Sequence, residues 1–175
     1  PTEDETTLGH IVDLLYSFKN IRNTKELPNL SNHLEKCLYS TYLSYVPVNQ
    51  LAYPLDMHVD NRGSFTEIIK TIDRGQFSVN ISHPGITKGN HYHHTKNEKF
   101  LVVSGHCLIK LRKIGTSEVI TYDVSGDKLV VVDIPVGDTH SITNIGDTDS
   151  ITFMWCNECF DPNNPDTYYE EVIVK

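Results

Sequence analysis

From Met57 onward the chain is written in short pieces. Segments enriched in Val, Ile, Thr and Phe fall at 64–71, 76–82, 90–94, 99–104, 107–113, 118–124, 128–133, 140–145, 151–156 and 168–174. Breaks at Arg74-Gly75, Ser104-Gly105, Ile114-Gly115, Ser125-Gly126 and Ile145-Gly146 separate several of them. About ten strands at this spacing, with no helical stretch between them, imply an all-β sandwich or barrel.

Residues 1–46 carry a different period. Leu8, Ile11, Val12, Leu15, Phe18 and Ile21 recur at helical spacing behind a capping Thr6 or Thr7. Leu27-Pro28-Asn29 breaks that helix. A second begins after Ser31, turns Leu34, Cys37 and Leu38 inward, and runs toward Tyr45. Two helices of this length cannot make a core alone, so they are expected to pack on the β domain or on a domain upstream. Pro47 to Pro54 reads as a linker, which divides the chain into a helical segment, 1–46, and a β domain, 47–175. Because Pro1 is not a natural start, a signal or domain upstream is expected to be missing from this chain.

Charge narrows the function classes. Fifteen Lys and Arg against 23 Asp and Glu give a net charge of −8, and no basic stripe stands out. That disfavours a non-specific binder of nucleic acid or anionic membrane. No apolar run approaches the roughly 20 residues that span a bilayer, and no signal peptide is recognisable. Cys37, Cys107, Cys156 and Cys159 are scattered, so reduced thiols and a cytoplasmic location are expected. Cys156-Asn-Glu-Cys159 lacks a second half and reads as packing at a strand end.

The chemistry gathers in 85–105. Gly85 is followed after five residues by His91-Tyr92-His93, after four more by Glu98, and after a further six by Gly105. On a strand, His91 and His93 share a face and His94 takes the opposite one. Downstream, Pro135-Val136-Gly137 is a turn that re-aims the chain so that His140 starts a strand toward the same lumen. Three imidazoles and a carboxylate make a nitrogen and oxygen pocket for one divalent ion; zinc, iron, nickel and manganese all tolerate this ligand set, and zinc is the expected occupant. His10, His33 and His58 read as ordinary surface or interface residues, and His106 as exposed.

Together the two stretches resemble the paired motifs of the cupin family, which implies a jelly-roll barrel. Every position of the first motif is present; in the second, the usual leading Gly is displaced to Gly126, altering a turn and not the pocket. The segment from His58 through Asp60, Arg62, Gly63 and Phe65 to Glu67 resembles the signature of nucleotide-sugar 3,5-epimerases of the dehydrorhamnose type, as does Lys88-Gly89-Asn90-His91-Tyr92. The whole chain is most similar to the C-terminal cupin domain of bifunctional capsular polysaccharide enzymes that make a UDP-N-acetyl-L-fucosamine precursor. In those enzymes an NADPH-dependent reductase precedes the cupin. No glycine-rich dinucleotide fingerprint occurs here, so no NADPH site is expected, and 1–46 corresponds to the tail of the missing reductase.

The resemblance implies C3 epimerisation of a UDP-4-keto-6-deoxy-N-acetylhexosamine. In the metal-free epimerases the matching residues would be His91 as base and Lys99 as enolate stabiliser. A His91 that holds a metal cannot also be a free base, and the extra donors favour the metal. The base then passes to His94, His83 or Tyr92. Arg62 and Lys88 are the expected diphosphate partners, and Glu67 the partner of a substrate hydroxyl. A homodimer is expected by analogy. Two other functions stay open: an iron-dependent oxygenase on the same scaffold, and a non-catalytic sugar-nucleotide-binding or dimerisation module.

Overall fold

The computed structural model describes residues 3–174. The first two positions of the expected helical segment and Lys175 lie outside the described residues. Helix α1 (Leu8–Thr24) begins at Thr7, whose hydroxyl accepts the His10 N–H at 3.2 Å, and stops where Lys25 turns left-handed at φ 63°. Helix α2 (His33–Tyr45) begins at Asn32, which caps the Glu35 N–H. Each cap satisfies a donor that the first helical turn leaves unpaired.

The inner stripe of this hairpin differs from the one spacing suggested. Leu14, Phe18 and Ile21 are buried, and Leu34, Leu38, Tyr39 and Tyr42 pack against them. Leu8, Val12 and Leu15 are exposed, as is Cys37. With apolar residues on more than one side of α1, only contact with α2 selects the buried face. This cluster is separate from the barrel core. Backbone bonds tie the two parts together: Leu27 N–H donates to the Lys70 carbonyl at 2.9 Å, and Lys70 N–H to the Lys25 carbonyl at 2.8 Å.

Eleven strands follow among the described residues: β1 (His58–Asp60), β2 (Gly63–Thr71), β3 (Gly75–Ser82), β4 (Thr87–Tyr92), β5 (Glu98–Ser104), β6 (His106–Lys113), β7 (Ile120–Ser125), β8 (Val131–Ile134), β9 (Asp138–Asn144), β10 (Ser150–Cys156) and β11 (Tyr168–Tyr169). They form a six-stranded sheet, β1-β2-β3-β10-β5-β8, and a five-stranded sheet, β11-β4-β9-β6-β7. From β3 onward nearly every connection crosses from one sheet to the other, which is the jelly roll of the cupin fold. β7 starts at Ile120, later than expected, and β8 starts later than expected because the chain first closes a turn through the Ser125–Lys128 bridge. The stretch 168–174 keeps only two strand residues, since Arg112 takes up the carbonyls that follow.

Both sheets supply the core: Phe100, Val102, Val132 and Ile134 from one, Cys107, Ile109, Leu111, Val124 and Ile142 from the other. Each large apolar side chain contributes about 1.5–3 kcal/mol on burial. Three neighbouring strands break the pattern: β2 buries Ser64 and Thr66, β10 buries Ser150 and Thr152, and β3 between them is polar throughout its inner face. On β3 the inward residues are Gln76, Ser78, Asn80 and Ser82, all buried, while Phe77, Val79 and Ile81 are half-buried on the opposite face. A polar inner wall on a barrel belongs beside a ligand cavity rather than a dry core.

Candidate metal centre

Three strands and one turn bring four donors together. His91 lies on β4, Glu98 opens β5 in the other sheet, His140 is the third residue of β9, and His93 follows the end of β4. A bulge in β4 sets the register: Gly89 pairs with Ser141, and His91 pairs with His140. Asn90 absorbs the extra residue at φ 57°. Its carbonyl accepts the Glu170 N–H at 3.0 Å and its side-chain oxygen accepts the Val172 N–H at 3.2 Å. A Cβ on Gly89 would lie 2.6 Å from the His140 carbonyl oxygen, so only Gly lets the strands approach here. The His91 and His140 rings end 4.5 Å apart. Gly137 N–H donates to the His93 carbonyl at 2.9 Å, which ties the Pro135 turn to the first motif.

The four donor atoms lie within 4.8 Å of one another. Glu98 Oε2 is 3.1 Å from His140 Nε2 and 3.4 Å from His93 Nε2, yet without hydrogen-bond alignment. Glu98 Oε2, His93 Nε2 and His140 Nδ1 are all buried without a partner, and a buried polar atom left unpaired costs about 1–3 kcal/mol. His93 Nδ1 faces the Asp166 carbonyl and donates to it, so its proton sits there and Nε2 keeps a lone pair for the centre. The Asp166 carboxylate in turn accepts the N–H groups of His94, Thr95 and Lys96 at 2.9, 2.8 and 2.9 Å.

Electrostatics suit a metal. Burial, with His140 and His93 beside it, pushes the His91 imidazole down to about 4, leaving it neutral at pH 7 as a ligand must be. Burial alone would raise the Glu98 carboxyl, but the imidazoles of His140 and His93 outweigh it and hold Glu98 well below the usual carboxylate range. For His93 burial works downward, while Glu98 and the Asp166 carbonyl carry the net shift upward. Three imidazoles, one carboxylate and unpaired buried atoms fit a divalent ion of borderline softness.

The family described as the polysaccharide biosynthesis C-terminal domain matches residues 58–168. This chain belongs to that family. It is 43% identical over 164 residues to the Pseudomonas aeruginosa protein named UDP-2-acetamido-2,6-beta-L-arabino-hexul-4-ose reductase, covering 94% of this chain and 44% of that protein. It is similar to the crystal structure of the capsular polysaccharide assembling protein CapF from Staphylococcus aureus, at 66% identity and TM-score 0.95, over 98% of this chain and 50% of that one. The Drosophila melanogaster CENP-C cupin domain, 14% identical with TM-score 0.50, shares the fold alone. The chain therefore spans about half the length of its two nearer relatives described here.

In this family domain a cavity of about 340 Å³ opens over His91, His93 and Glu98. Behind it, a second of about 180 Å³ reaches His140, Asn80 and Lys88. Glu67 lines the first cavity with its carboxylate 2.8 Å from Lys70 Nζ. Lys88 lines the second, its ammonium bonded to Asn80 Oδ1 at 2.7 Å and the Ile81 carbonyl at 2.9 Å, and burial lowers its pKa.

Five expected site residues line neither cavity. Lys99 pairs with Asp133 on the outer face, because strand alternation that turns Glu98 inward turns Lys99 outward. His94 is exposed with its ring 4.6 Å from that of Tyr168. Tyr92 stacks on the same Tyr168 at 5.4 Å. His83 bonds Asp149 at 2.8 Å, and Arg62 is exposed and folded back onto Asp60 at 2.7 Å. In their place the cavity has His58 and Lys96 in its wall. Cys156 also lines it, its thiol pushed up to about 11 by burial. No spacing marks His58, which reaches the mouth through the pairing of β1 with β2. Lys96 stands in the short turn between two metal donors, where no strand period aims its side chain.

No helix among the described residues is long and apolar enough to cross a membrane.

Proposed function

We propose that this domain epimerises C3 of a UDP-4-keto-6-deoxy-N-acetylhexosamine on the way to a capsular polysaccharide precursor, UDP-N-acetyl-L-fucosamine. The observation that carries this is the donor cluster beneath a 340 Å³ cavity whose wall also holds acid–base and cationic side chains. The keto sugar nucleotide in the name of the Pseudomonas relative supports the substrate class.

A proton alpha to a ketone leaves only if the charge that builds on the ketone oxygen is stabilised, a base stands over C3, and a proton returns on the other face. A divalent ion held by His91, His93, Glu98 and His140, zinc in our reading, supplies Lewis acidity in the cavity when bound. With His91 in that set, the base is His58, an imidazole of the cavity wall outside the cluster. Glu67 is less available because Lys70 holds its carboxylate. His58→Gln is expected to slow C3 exchange by about 100-fold or more while metal content stays at the wild-type level. Full exchange in that variant would remove His58 from the reaction.

The direct test follows C3 of the keto sugar by NMR in heavy water, with and without a chelator. Deuterium should enter C3 and exchange should stop on chelation. Exchange that survives verified metal removal would return His91 to the role of base. No exchange, in protein shown to bind the sugar nucleotide, would mean a non-catalytic binding module, and oxygen uptake with ferrous iron would mean an oxygenase.

The same proposal makes 1–46 the tail of an upstream reductase domain, and the exposed Leu8, Val12, Leu15 and Tyr16 support a partner for that helix. A homodimer would pair through edge strand β1, where Val59 is exposed. The free thiols accord with a cytoplasmic location.

A further inference from the structure

We propose that Lys96 is the catalytic side-chain cation of this cavity, meeting the ketone oxygen as it turns negative alongside the Lewis acidity a bound ion would supply. The inference rests on the epimerase reading above. Lys96 is only 7% exposed and lines the cavity with His91, His93 and Glu98. Among the described residues its Nζ has no carboxylate within ion-pair distance; its contact is the Phe160 ring, with the centroid 5.9 Å away.

Every other cationic side chain proposed for the site is already engaged. Lys88 donates to Asn80 and Ile81, Lys99 pairs with Asp133, and Arg62 pairs with Asp60. Lys96 is also held in place, because Asp166 accepts its backbone N–H at 2.9 Å and those of His94 and Thr95 beside it. An unpaired ammonium carried on a fixed backbone at the cavity wall stabilises a charge that appears during reaction with little reorganisation.

The surroundings favour an enolate oxygen over a diphosphate. The cavity of about 340 Å³ is at the small end of ligand pockets, enough for a sugar ring rather than a whole sugar nucleotide. Its walls include Phe65, Met154, Trp155 and Phe160. A diphosphate needs several donors to replace its water, whereas a single transient charge needs one.

Lys96→Met keeps the stem against Phe160 and removes the charge. In metal-loaded protein, deuterium exchange at C3 under saturating keto sugar is expected to fall about 10²–10³-fold. Metal content, and calorimetric affinity for UDP and for the sugar nucleotide, should stay near wild type, and Lys96→Arg should recover part of the rate. Wild-type exchange in Lys96→Met would overturn the assignment. So would a loss of UDP affinity that accounts for the slower rate, which would place Lys96 on the diphosphate. If the wild-type protein itself does not exchange, the epimerase reading fails and takes the inference with it; the control, not the variant, reports that case.

Discussion

Replacing Glu98 with Gln should empty the metal centre and abolish C3 exchange. Glu98 is the one anionic donor in a set whose other members are imidazoles, and it stands 3.1 and 3.4 Å from two of them. An amide keeps the shape but loses the charge that balances a divalent ion. Outer-shell partners alone are worth about 10–100-fold in metal affinity, so loss of this ligand should cost at least about 100-fold. Elemental analysis after dialysis and the C3 exchange rate check both parts. Stability should fall as well in the metal-free forms. The imidazoles of His140 and His93 hold the Glu98 carboxyl below its usual range, so its charge stabilises the folded state at neutral pH, and the variant should unfold more easily than metal-free wild type. Metal-loaded wild type should exceed both through binding linkage. A Glu98→Gln protein that keeps its metal and its exchange would remove Glu98 from the centre.

Arg112→Ala should be the most destabilising single change outside the centre, by about 3–5 kcal/mol, or roughly 10 °C in melting temperature. Arg112 on β6 is 3% exposed and reaches four acceptors. Nε donates to the Val172 carbonyl at 2.9 Å and Nη1 to the Thr116 carbonyl at 3.0 Å. Nη2 donates to Glu170 Oε1 at 2.7 Å and to the Glu171 carbonyl at 2.6 Å. Without the guanidinium those carbonyls lose their donors, and the segment that seats Val172, 1% exposed, loses its anchor. That segment follows Asp166, whose carbonyl orients His93. Metal affinity should therefore fall about 10–100-fold as well, read by titrating metal into the folded variant. Lys at this position cannot span the same acceptors and should rescue little. Lost stability with unchanged metal affinity would show that the C-terminal segment and the centre are uncoupled.

The four donors were legible because short stretches of local spacing carry them. A His-x-His ending a strand, a Glu opening the next, and a His just beyond a Pro-x-Gly turn each depend on strand period and turn chemistry. Lys99 shows the same rule from the other side: period two beside an inward Glu98 already turns it outward, and only the family likeness suggested otherwise. The hairpin was legible in its caps, Thr7 and Asn32, but not in its buried face, because α1 has apolar residues on more than one side.

The sequence by itself determined an all-β domain, most of its strand succession and a set of metal-capable donors, since periodicity and turn residues act over a few positions; the jelly-roll topology followed from the resemblance to the cupins, and the short β1 carried no periodic signal. Tertiary structure alone decided which cation enters the cavity and which histidine joins its wall. Lys96 lies in a turn, where no period aims a side chain, and its backbone is held by Asp166 seventy residues away. His58 sits on a short strand set in place by its pairing with β2. Side-chain direction at both positions follows from hydrogen bonds made after the chain has folded.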